Sequence, residues 1–506
     1  MENFKMMLPN VLPKFSRDES GTGTVFSIFG IGMLIMIGGI AIDGSNFWRN
    51  EQMLQKTADV AAHAGVVALA NGADSTTALD NAASFVSYNM PFAQYGNLYA
   101  NQSTDIEVLN YDEATNTLNS SGKPNAVRVY LHRDQLSDNP VSTFALRLAD
   151  LFLISEQTNL SNWNMQVRGV AALAKFQGCN STDGIYSKGK LSLSSSSTIG
   201  AGYCLHSQNE VWMAQQNTFM PTAAVSMPNL DTCGSKCTDA SNPGSTAASW
   251  ERNLIMPDIP AHILSSYASF LDTSDTTLRD DFFSDKYLES GALSALQDVG
   301  INTSGLMLGS VVELTDAKFE ELTDVPEGLV YNVTCKSNGN PDSVRIEFGA
   351  EKNKPGNNGG KYFTPSAFSD VAIVTNCGFE FLDATDITSS VLISTRQVST
   401  ASIMANSSAS VGDSFGGCSV DDQTVIMGMS DMNVPADFTG SNVSFIVDGN
   451  IHLSASSSSS TNDHSGVSFL ASGEISIAAN HTFNGCASPP SGLIPAMRVI
   501  RQVVPS

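Results

Sequence analysis

VFSIFGIGMLIMIGGIAI, residues 25–42, carries no charged side chain. As a helix it spans ~27 Å, about the thickness of a bilayer's hydrocarbon core. No other stretch of the 506 residues approaches it. The reading is therefore a cytoplasmic leader at 1–23, one transmembrane helix at 24–43, and nearly all of the chain on the far side. Lys5, Lys14 and Arg17 precede the run and Arg49 and Lys56 follow it, so basic residues alone orient it only weakly. Phe47 and Trp48 stand where interfacial aromatics anchor an outer membrane boundary. Small residues at 39–41 also suit a signal-peptide cleavage site, but the leader and the apolar run are both long for one.

The chain has 26 basic and 50 acidic residues, a net charge of −24. Such a body is repelled by nucleic-acid phosphates and by anionic lipid head groups. Eight cysteines, Cys179, Cys204, Cys233, Cys237, Cys335, Cys377, Cys418 and Cys486, all lie in the distal part. An even set beyond a membrane suits an oxidising compartment and up to four disulfides, buried free thiols being the alternative. Cys233 and Cys237 have no second pair or histidine at zinc-ligand spacing. Cysteines and acidity together put the leader in the cytoplasm and the body in the periplasm or outside the cell.

Helical pattern continues past Asp43 with no proline before Pro91. Residues 51–70, EQMLQKTADVAAHAGVVALA, place Leu54, Ala58, Ala61, Gly65, Ala68 and Leu69 on one face. Small side chains on that face let a second helix or a sheet approach closely. Asn71 and Gly72 end the helix, and a second one is expected over 75–88.

The string from Gly21 through Ala70 resembles the N-terminal segment of TadE/TadG-like proteins of the Flp (tight adherence) pilus system. The resemblance rests on a short leader, the apolar run, Asp43, and then Leu54, Gln55, Ala58, Asp59, Ala61, Ala62, Ala64 and Gly65. It implies a membrane-anchored component of pilus assembly whose partners are membrane lipid and other pilus-assembly membrane proteins or pilins. Asp43, Leu54, Gln55, Ala58, Asp59, Ala61 and Gly65 are the candidates for partner packing, with packing inside the chain as the alternative. The order of elements continues to 176. DIEVLNY (105–111) and VRVYLH (127–132) read as strands, 141–152 as an amphipathic helix, and 163–176 ends strand-like. Residues 44–176 thus form a small α+β module, and the fold class is α+β with a mainly β distal body.

From 177 the composition turns to Ser, Thr, Asn and Gly. We divide it into a Cys-containing β-rich region (177–256), a helical insertion or linker (257–325) and a β-rich domain (326–506). SNVSFIVDGNIHLSA (441–455) and SGVSFLASGEISIAA (465–479) repeat at a spacing of 24, setting Phe445 over Phe469 and Ile451 over Ile475. That period suits one coil of a β-solenoid, with a β-sandwich as the alternative. LSLSSSS (191–197) and SASSSSST (454–461) read as polar loops.

No cofactor fingerprint or metal cluster stands out, and no enzymatic role is expected. GDSFG (412–416) matches G-x-S-x-G, yet no strand leads into it and no helix follows, as a nucleophile elbow requires. A hydrolase centred on Ser414 would need His452, His464 or His481 as its base. A β-solenoid surface adhesin on the same anchor is the other alternative.

Overall fold

In the computed structural model the apolar run opens a single 49-residue helix, Thr22–Ala70. It is ~73 Å long at 1.5 Å per residue. The structure describes residues 22–112, 115–150, 162–175, 183–274, 277–335, 344–353, 361–397, 400–407, 409–413, 423–456, 462–486, 493–495 and 498–503. The chain forms two compact units, one of residues 1–174 with 500–506, the other of residues 175–499.

In the first unit the long helix stops at Gly72, whose φ of +83° suits a residue without a Cβ. Asp74 then caps the second helix, Ser75–Asn89, by accepting from the Thr77 N–H. The two helices bury Leu54, Ala58, Ala61 and Ala62 with Ala78, Ala82 and Val86. They lie on a five-stranded sheet ordered Thr117–Asn119, Ile106–Asp112, Ala126–Arg133, Met165–Lys175, Arg498–Gln502. The expected strands are present, but the expected helix over 141–152 is cut short at its start. Val141–Ser142 is a strand paired with Asn162–Trp163, and the helix is Ala145–Asp150. Val141 and Thr143 are β-branched and favour extended backbone. The second unit lies in the chain between two neighbouring strands of this sheet, Met165–Lys175 and Arg498–Gln502.

The second unit is built from three parallel sheets of eleven, eight and six strands. The chain begins in the middle of the largest. Gly184–Ser187, Leu191–Leu193 and Thr198–Ile199 contribute one strand to each sheet. Twenty residues on, Cys204–Ser207, Val211–Met213 and Thr218–Phe219 repeat the set in register, Gly184 against Cys204, Leu191 against Val211, Thr198 against Thr218. LSLSSSS is therefore a strand and a corner rather than a loop, because Leu191 and Leu193 alternate into the core. After Ser249–Glu251 the chain leaves this array and starts a second at the opposite end of the sheet, with Val311–Thr315. The second array returns to the first. Phe445 pairs with Phe469, and Phe469 pairs with Ile185. Ile451 pairs with Ile475, and Ile475 with Leu191.

Helix Ile259–Leu271 has a structural task. Ile259, Ile263 and Phe270 cover Val374, Ile393, Met427, Ile446 and Leu470 on the outer face of the large sheet. Strands there are buried on both faces, as in Ala372–Thr375 and Val391–Ser394, while Val211–Met213 and Ile451–Leu453 turn their middle residue to solvent. Leu230–Cys237, closed by the Cys233–Cys237 disulfide, packs on the end strands of the first array. Asp316–Glu320 packs on the end strands of the second, with Phe319 edge-on to Tyr331 and Phe348.

Candidate functional site

The residues singled out along the long helix converge on one joint within the first unit. Asp43 is 2% exposed. Its Oδ1 accepts from the Phe144 N–H at 2.6 Å, and its Oδ2 from the Ala145 and Leu146 N–H groups at 2.9 and 2.8 Å. These are donors that open helix Ala145–Asp150, so a carboxylate about a hundred positions earlier supplies its N-terminal acceptor. One turn before Asp43, a Cβ on Gly39 would fall 2.2 Å from Ala145 Cβ, so only a glycine lets the short helix this close.

Further along, Gln55 Nε2 donates to Asp59 Oδ1 at 2.9 Å and to the Arg168 carbonyl at 3.0 Å, fixing the height of the helix on strand Met165–Lys175. At the next residue a Cβ on Gly169 would sit 2.5 Å from the Ala58 carbonyl. Gly65 is seated closely but less tightly: a Cβ there would lie 3.0 Å from the Val127 side chain and 3.1 Å from the Ala78 carbonyl. Leu54, Ala58, Ala61 and Gly65 are buried against this unit's own helix and sheet. Packing within the chain thus accounts for their small side chains. The joint fastens a rigid rod to a sheet.

In the second unit, two of the three candidate bases serve the structure. The Gly440 N–H donates to His464 Nδ1, which leaves Nε2 protonated and donating to His481 Nδ1 at 3.1 Å. His481 Nε2 then donates to the Ser454 carbonyl at 3.0 Å. All four ring nitrogens are engaged. The third, His452, meets the Ser476 hydroxyl on the next strand at 2.6 Å. Ser414 lies outside the described residues. Gly412 has a packing reason of its own, with φ at +102° and a Cβ position only 1.8 Å from the Ser441 carbonyl. Gly412→Ala is expected to cost about 2 kcal/mol, read as a lower urea midpoint.

Burial keeps His464 and His481 neutral. It pushes His464 down to about 3 and His206, beside the Ser226 hydroxyl, down to about 4. His481 is lowered for the same reason. Lowered native values mean stability is present above the unfolded value of 6.5 and is lost as pH falls. Asp183, which accepts from the Cys486 N–H, is raised by burial to about 6 and acts in the opposite sense, its contribution lost as pH rises from 3.8 through 6. From pH 6.5 to 5, His464 and His206 remove roughly 2 kcal/mol each and Asp183 returns about 1. Urea midpoints should fall over that interval, and His464→Asn should flatten the slope by about two-thirds.

A cavity of about 530 Å³ opens at the end of the first array, lined by Phe219, Met220, Pro221, Ala248, Trp250 and Arg252. The Arg252 guanidinium lies 5.5 Å from the Trp250 ring centre. Sequence reading missed this place, since its residues come from two segments, 219–226 and 244–252, that meet only where Val225 pairs with Ser249 and Ser226 with Trp250. Cys335 is bonded to Cys377 as well as Cys233 to Cys237, and Cys204 and Cys486 are each disulfide-bonded. Cys179 and Cys418 lie outside the described residues.

Comparison with known proteins gives two matches. Residues 21–74 match the Tad family model, Flp pilus-assembly TadE/G-like. Residues 184–487 match the family model described as domain of unknown function DUF7867. No curated protein and no solved structure matches.

Proposed function

This chain belongs to the DUF7867 family over residues 184–487 and carries a TadE/G-like domain at residues 21–74, and we propose that it is a non-enzymatic component of Flp/Tad pilus assembly, tethered by one membrane helix. The leader is cytoplasmic, and the second unit is a β-solenoid displayed in the periplasm or beyond. It acts through contacts with other pilus-assembly membrane proteins or pilins. The observation that carries this reading is the TadE/G-like match across the apolar run and the helix after it. The Thr22–Ala70 helix supports it by continuing unbroken from that run into the folded unit. Parallel strands stacked in three sheets, at a twenty-residue spacing between Gly184 and Ala224 and at 24 between Phe445 and Phe469, support the solenoid.

Deleting the gene should abolish or reduce Flp pili, and the tagged full-length protein should co-purify with membrane components of the apparatus. A carboxyl-terminal reporter should be active only outside the cytoplasm. Normal piliation in the deletion strain, or a cytosolic reporter, would overturn the reading. The cavity beside half-exposed Trp250 favours a second reading, a surface adhesin on the same anchor. In that case the deletion strain keeps its pili and loses attachment.

A further inference from the structure

We propose that the segment around Phe144 is a second lipid contact, dipping into the outer membrane interface beside the anchor helix. This rests on the membrane-anchor reading above and adds a contact which that reading does not require.

Three observations carry it. The first is depth. Every large apolar side chain from Val25 to Ile42 is more than half exposed, so among the described residues the run is left open except where Ala145 meets Gly39, and Asp43 marks its end. Phe144 is bonded through its own N–H to Asp43, and Ala145 touches Gly39. Gly39 lies ~6 Å deeper than Asp43 along the helix axis. Residues 144–145 therefore sit at the boundary and just inside it, whatever the tilt of the rest of the unit.

The second is exposure. Phe144 is 81% exposed and Trp48, about one turn beyond Asp43, is 65% exposed. Phe47, next to Trp48, instead packs edge-on against Trp163 at 5.0 Å. Two large aromatic side chains left mostly exposed, both at the end of an apolar run, match the placement of interfacial aromatics.

The third is backbone satisfaction. A helix N-terminus entering a medium poor in water must find acceptors for its free N–H groups. Here the Phe144, Ala145 and Leu146 N–H groups are all taken by Asp43. The segment can enter the interface with those donors paired, and the carboxylate meets three donors in place of water. Lipid is the occupant because the Phe144 position is continuous with the lipid-facing run. A protein partner at this height is the competing outcome.

The test uses the full-length protein in its membrane, with the photocrosslinker p-benzoylphenylalanine placed singly at Phe26, Phe144 or Asn71. Phe144 is so exposed that the replacement removes little packing. Asn71, the first residue after the same helix, lies ~42 Å beyond Asp43 and serves as the aqueous control. Expected are phospholipid adducts at 26 and 144 and none at 71. Lipid adducts at 26 with none at 144, or with only protein adducts there, overturn the proposal and leave the anchor standing. Absence of lipid adducts at 26 overturns the anchor, and this inference with it.

Discussion

Replacing Phe469 by alanine should remove about 3–5 kcal/mol from the stability of the second unit. The residue has no exposed surface. Its ring stacks on Phe445 at 5.4 Å and meets Phe483 edge-on at 6.5 Å. Its backbone pairs with Phe445 on one side and Ile185 on the other, so it sits on the seam where the chain's second array closes onto its first. Alanine would leave a cavity at a place held by strands far apart in sequence, where little can collapse to fill it. Urea unfolding of the full-length protein, followed by near-ultraviolet circular dichroism, reads the loss. Phe469→Leu, which keeps most of the volume, should cost less than about 1.5 kcal/mol. An alanine variant within about 1 kcal/mol of the parent, by contrast, would mean that the aromatic stack is not a principal part of this core.

Asp43→Ala should cost the first unit about 3 kcal/mol, since a buried donor without its acceptor costs ~1–3 kcal/mol and three lose theirs together. The effect should be local. The Phe144, Ala145 and Leu146 amides should lose protection from hydrogen exchange, and protease cleavage should rise nearby. Asp43→Asn keeps one acceptor oxygen and should fall between the two. Unchanged exchange at those amides in the alanine variant would show that the carboxylate does not hold the short helix.

Legibility differed between elements for physical reasons. The apolar run was legible because an uncharged stretch of bilayer length stands out in a sequence by composition alone. The small-residue face was legible from its spacing, but Ala58 and Gly65 look the same whether a partner or the chain's own sheet lies against them. Gly169, which completes that contact, is an unremarkable glycine until the strand is laid under Ala58. The repeat at 24 was visible because Phe445 and Phe469 are the same residue. The repeat at 20 was present as Leu191 and Val211, Leu193 and Met213, Ile199 and Phe219, hidden by changing side chains and a serine run. Left-handed backbone at Ser196 and Gln216, twenty residues apart, shows that the corner geometry repeats where the residue type does not.

The sequence by itself determined an apolar run long enough to cross a membrane, the helix that extends it, the TadE/TadG likeness and the β character of the distal body. Each depends on side chains close together along the chain, where period and composition act directly. The tertiary structure decided what lies against what. It decided that Asp43 holds residues 144–146, that helix Ile259–Leu271 covers one sheet, and that Phe469 closes on Ile185. A strand's pattern states that both its edges need partners and that its apolar faces need cover. It does not state which distant strand or helix supplies them, because many segments of similar polarity would serve, and only the packing of the whole chain chooses among them.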